Sequence, residues 1–162
     1  MRRAFGSVGG GWHRRWGVFA RHVACLAVLS LFWEFAQMPF YTLWETGTSG
    51  EIVFAVLHCT IGDAMIGSFT LLAALLVFGG EIWPRARRTR VLAATVVLGL
   101  GYTVFSEWLN VDLRGAWAYS ERMPLVPPTG TGLTPLLQWL ILPVVAYRLA
   151  TRGIAQAEER SA

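Results

Sequence analysis

The chain has 162 residues, 54% of them hydrophobic and 15% charged, a balance too apolar for a soluble domain of this size and expected of a polytopic membrane protein. Its fourteen basic residues are all arginine, and a pI near 9.7 would suit a nucleic-acid binder if they formed one patch. They fall instead between apolar stretches, which argues against a nucleic-acid partner.

Residues 1–21 form a basic and aromatic leading segment. Gly6, Gly9, Gly10 and Gly11 read as flexible linker, since no strand precedes them to build a phosphate loop. Trp12 and Trp16, one helical turn apart beside Arg14 and Arg15, read as an interfacial anchor. The first span is expected over Val23–Trp44. No small-residue cleavage site follows it, and Glu34, Gln37 and Pro39 interrupt it, so it reads as a retained helix and not a signal peptide.

The next connection carries "GTSG", Gly47–Gly50, which resembles the nucleophile string of the rhomboid intramembrane proteases over four residues only. Those enzymes hold the serine inside a span, whereas this string lies in a loop. Thr48 followed three residues later by Glu51 reads as a capping box that starts the second helix.

The second span, expected over Ile52–Gly79, contains "AVLHCTIGDAMIG", with His58, Cys59 and Asp63 in an otherwise apolar run. His58 and Asp63 are five apart, about 140° around an ideal helix. They share a face only if a π-bulge intervenes, and Gly62 is the place for one; otherwise each points into its own groove. Gly62, Ala64, Gly67, Ser68, Gly99 and Gly101 permit close helix approach.

The third span is expected over Val91–Val111, with Thr103, Glu107 and Asn110 on one face. Residues 112–132 form the longest connection, carrying Trp117, Tyr119 and three prolines, and read as a cap over a pocket. The fourth span, Leu133–Ala150, contains Gln138. Pro135 and Pro143 predict that it is kinked or partly re-entrant. Residues 151–162 read as a tail.

Four spans of about 20 residues each match a bilayer core of about 30 Å. Arg2, Arg3, Arg14, Arg15 and Arg21 precede the first; Arg85, Arg87, Arg88 and Arg90 follow the second; Arg148, Arg152 and Arg160 follow the fourth. Only Arg114 and Arg122 fall on the other side. The positive-inside rule then places both termini in the cytoplasm of a bacterial-type inner (plasma) membrane. The expected fold is an all-α, four-helix membrane protein, one domain over 1–162. Cys25 and Cys59 differ in depth by roughly 15 Å, beyond the reach of a disulfide, and should be free thiols.

In this topology Glu34, His58, Asp63, Glu107, Asn110 and Gln138 gather between the midplane and the outer surface, and none falls in the inner half. Such residues usually face a bundle interior, pair together or line a water-filled cavity. Glu34, His58, Asp63 and Glu107 are the candidate acid–base residues, with Gln37, Cys59, Thr103, Asn110, Gln138, Trp117 and Tyr119 lining the site. With His13 and His22 on the inner side and no E-x-x-H string, a multi-histidine metal cage is excluded. A one-histidine carboxylate site remains open, but no spacing selects a metal. No motif specifies a cofactor.

Three functions stay open: an enzyme acting on a lipid-like or isoprenoid-like molecule; a non-catalytic accessory or assembly subunit; and a small proton- or cation-coupled transporter. The expected company is the lipid bilayer, a lipid-like small molecule, and either a second copy or a membrane-complex partner.

Overall fold

A computed structural model describes residues 8–80, 83–84 and 86–159; Arg2, Arg3, Gly6, Arg85 and Arg160 lie outside them. The long apolar stretches fold into four main helices: α1 (Val8–Gln37), α3 (Ser49–Ala74), α4 (Arg88–Glu107) and α5 (Leu133–Glu159). Each contains a segment long and apolar enough to cross a membrane: Trp12–Phe40, Ser49–Gly79, Arg88–Leu113 and Leu133–Arg152. A short α2 (Leu43–Thr46) lies in the first connection. A hairpin of β1 (Leu125–Val126) and β2 (Thr131–Gly132) is the one sheet among the described residues.

The helix limits follow from local chemistry. α1 stops where Pro39 disfavours helical geometry in the residue before it, and a single 3₁₀ turn, Met38–Phe40, follows. α3 starts on a complete capping box, with Thr48 Oγ1 accepting from the Glu51 amide and Glu51 accepting from the Thr48 amide. In α5, Pro135 lies in the first turn, where a missing N–H costs nothing. Pro143 sits inside a helix assigned without a break. The fourth span is therefore one unbroken helix, which continues through much of the expected tail.

One further expectation needs correction, and one pair of alternatives is decided. Gly9, Gly10 and Gly11 belong to the first turn of α1 and not to a linker. The π-wound turns occur at Leu75–Gly79 and Trp108–Leu113, where they extend α3 and α4. None occurs at Gly62, because α3 is regular α-helix through that point.

Each main helix packs on two neighbours: α1 on α3 and α5, and α4 on the same two. The four therefore form a ring with α1 diagonal to α4. Its polarity is inverted relative to a soluble protein. Phe32, Phe54, Phe69, Leu76 and Val97 are exposed, while Glu34, Asp63, Glu107 and Gln138 are buried. That distribution suits a bundle surrounded by hydrocarbon.

At one end, hereafter the capped end, the two longer connections meet. The Thr42 amide donates to Ala118 O and the Ser120 amide to Phe40 O, Tyr41 bridges to Tyr119, and Arg122 pairs with Glu45 at 3.5 Å. At the opposite end Val18, Leu71, Ala74, Trp83, Val91, Tyr147 and Ala150 form an apolar cluster. His22 is fully buried beside it, its ring edge-on to Tyr147 at 5.9 Å. The expectation that His22 lies outside the first span, and that no polar group enters that half, therefore fails. The helix begins fourteen residues before His22, which carries the side chain into the bundle.

Between the two ends the helices approach closely. A Cβ on Gly67 would meet Leu26 Cδ2 at 2.1 Å, and one on Gly99 would meet Trp139 Cε3 at 2.1 Å. These two glycines form notches that the Leu26 and Trp139 side chains fill, a tightly packed partition within the bundle.

Candidate functional site

On the capped side of that partition lies a cavity of about 360 Å³. Buried faces of four helices converge there, since residues three or four apart share a helix side. Ser30, Glu34 and Gln37 form one such row on α1, and Gly99, Thr103 and Glu107 another on α4.

Glu34 from α1 and Asp63 from α3 meet at one amide of α5: Gln138 Nε2 donates to Glu34 Oε1 at 2.9 Å and to Asp63 Oδ2 at 2.5 Å. Gln37 Nε2 in turn donates to Gln138 Oε1 at 3.4 Å. Among the described residues neither carboxylate has a basic partner within ion-pair distance; the surface pair Arg122–Glu45 lies elsewhere. Two carboxylates this close in a low-dielectric setting repel strongly when both are charged.

Glu107 forms a second group at the loop side of the cavity. It accepts from the Tyr119 hydroxyl and from Trp117 Nε1, the latter at 3.4 Å. The Tyr119 oxygen also accepts from the Gly132 amide at 2.9 Å, which ties the hairpin to the carboxylate. Burial, followed by the hydrogen bond to Glu107, pushes the Tyr119 phenol well above the usual tyrosine range.

Glu34, Gln37, His58, Cys59, Asp63, Thr103, Glu107, Asn110, Trp117 and Gln138 all line the cavity. Tyr119 does not line it and acts on it through Glu107. His58 and Asp63 do not meet: His58 is exposed and stacks on Phe54, one turn away, at 5.7 Å. With no bulge between them, the two point apart by the ordinary helical angle. Cys25 and Cys59 are both free thiols.

The lining also includes Tyr41, Tyr102, Ser106, Arg114 and Trp139, which sequence reasoning missed. Tyr102, Ser106 and Asn110 are spaced by four, so the stripe was there to be read. Tyr41 arrives through a loop crossing that leaves no periodic signal. Trp139 is indistinguishable in sequence from an ordinary membrane aromatic.

His58 on α3 and Tyr102 on α4 both line the cavity and are exposed on the outside of the bundle. These two exposed lining residues place an accessible edge of the cavity where α3 and α4 face each other, and Trp139 lies at the end toward the partition. Among the described residues no three His, Cys, Asp or Glu side chains are arranged to hold a metal. The chain matches no protein-family model, no curated protein and no solved structure.

Proposed function

We propose that the chain is a membrane-embedded enzyme that applies acid–base chemistry to an amphiphile entering through the gap between α3 and α4. The observation that carries this reading is the convergence of Glu34 and Asp63 on one Gln138 amide inside a cavity with an accessible edge where α3 and α4 face each other. A carboxylate pair bridged in this way can take a proton at one member and give one from the other. In this reading Glu34 and Asp63 are the reacting groups, Glu107 is held by Tyr119 and Trp117 as part of the cap, and His58 stands at the portal. The accessible edge suits a lipid-like or isoprenoid-like substrate, whose tail stays in the bilayer. Arginine placement supports a capped end facing outward and both termini in the cytoplasm of an inner membrane.

A non-catalytic reading draws on the same Gln138, because one side chain ties α1, α3 and α5 together and that alone fixes helix pairing in an accessory subunit. Transport has less support, because Leu26 and Trp139 fill the glycine notches on one side of the cavity.

The test is turnover. Wild type and Asp63→Asn, each reconstituted in nanodiscs, are incubated with a total membrane-lipid extract and followed by lipid mass spectrometry. The proposal expects a species consumed by wild type and spared by an equally folded variant. If neither changes the extract and the variant instead loses a copurifying protein, the accessory reading replaces it.

A further inference from the structure

The polar end of the cavity's occupant is constrained by a sequence of amide orientations. A carboxylate oxygen accepts hydrogen bonds, so the Gln138 atom shared by Glu34 and Asp63 is its NH₂ group. Gln138 Oε1 therefore faces Gln37 and takes the Gln37 NH₂ as its donor. That leaves Gln37 Oε1 buried on the cavity lining with no partner.

Several of the neighbouring donors are already engaged. The Thr103 hydroxyl donates to Gly99 O at 3.0 Å, and the Asn110 amide to Ser106 O at 2.8 Å. The Trp117 and Tyr119 donors go to Glu107. Gln37 Oε1 is thus an unpaired acceptor beside the two carboxylates that Gln138 already serves, and buried polar groups ordinarily find partners. Arg114, the basic side chain on the lining, is exposed at the rim and does not reach the Glu34–Asp63 pair at ion-pair distance.

We infer that the cavity takes the primary ammonium group of an amphiphile, with its N–H donors directed at Gln37 Oε1 and the Glu34–Asp63 pair. This rests on the reading of the cavity as a ligand site. A primary ammonium has three donors and no acceptor, which complements that wall, and Tyr41 and Tyr102 provide aromatic faces of the kind that attract cations. Two sources carry this chemistry: the amino headgroup of a bilayer lipid and a free long-chain amine.

The test uses the full chain in phosphatidylcholine nanodiscs, whose headgroups carry no N–H. Decylamine, decyltrimethylammonium and decanol are titrated separately, and binding is read by calorimetry and by protection of Cys59, a cavity-lining thiol, from maleimide. Decylamine is expected to bind saturably and protect Cys59, with the other two weaker by about tenfold or more, as befits lost charge-assisted hydrogen bonds. Gln37→Met should weaken decylamine by about tenfold, and Gln37→Glu should retain it.

Competition by added phosphatidylethanolamine assigns the ligand to a lipid headgroup; its absence assigns it to a free amine. Equal binding of the quaternary compound, or decylamine no better than decanol, overturns the inference. If the Gln37 variants fail to fold, the three-ligand series on wild type still decides. Turnover of an amine-free lipid that requires Asp63 would overturn this inference and leave the proposed function standing. Binding of no amphiphile at all would defeat both.

Discussion

The two ends of the bundle both bury polar side chains and treat them differently. At the capped end, Glu34, Asp63, Gln37 and Gln138 bond across three helices around an open cavity. At the opposite end Thr95 and Thr151 return their hydroxyls to their own helix backbone, at Val91 O and Tyr147 O. Trp83 donates to Tyr147 at 2.7 Å, and His22 has neither ring nitrogen bonded. Cross-helix bonds joining three helices around a cavity suggest a site, whereas hydroxyls returned to their own helix within an apolar cluster suggest packing. Burial alone does not separate the two cases.

The contrast breaks most severely at Gln138. Gln138→Leu keeps the volume and removes the donor from both carboxylates, at about 1–3 kcal/mol for each acceptor left unpaired. Thermal unfolding in detergent should drop further for this variant than for any of the three that follow. Gly99→Ala attacks the partition between the ends: its Cβ would fall on the rigid Trp139 ring, and overpacking of this kind costs about 1–3 kcal/mol. The same unfolding assay reads it, and a shifted Trp139 should also alter near-ultraviolet circular dichroism.

Tyr119→Phe sharpens the picture of the cap. It removes a donor to Glu107 and an acceptor for Gly132, each worth about 0.5–1.5 kcal/mol. Because the folded phenol titrates later than an unfolded one near pH 10, the wild-type contribution is complete below that value. It is lost as pH rises through the higher folded pKa. Melting temperature measured at increasing alkaline pH should therefore fall more steeply for wild type than for Tyr119→Phe. The smallest effect should carry the opposite sign: His22→Leu replaces an unpaired buried imidazole and should leave stability unchanged or raise it by up to about 1 kcal/mol. A large loss there would mean that the opposite end is a functional site as well.

Much of the architecture was legible because hydropathy and helix signals act locally. The apolar runs gave four helices, and Thr48 with Glu51 marked the start of α3. The convergence of Glu34, Asp63 and Gln138 was readable from approximate depth, since helical rise converts sequence distance into position along the bundle. The start of α1 was not, because glycines at 9, 10 and 11 suggested linker whereas the helix runs back to Val8. The place of His22 was missed for the same reason. The His58–Asp63 relation was readable only as a pair of alternatives, and the choice depended on whether the winding changed between them. Tyr41 and Tyr119 reach the site through loop pairing, which no periodicity encodes.

The central claim is that the carboxylate cavity holds a small molecule. Native mass spectrometry of wild type and Asp63→Asn, both purified in mild detergent, tests it directly. The account predicts a defined non-protein mass on wild type that Asp63→Asn loses while keeping its helical circular dichroism. Both proteins empty and equally folded, with only a protein partner retained, would contradict it and make the Glu34–Asp63–Gln138 junction a helix-pairing device.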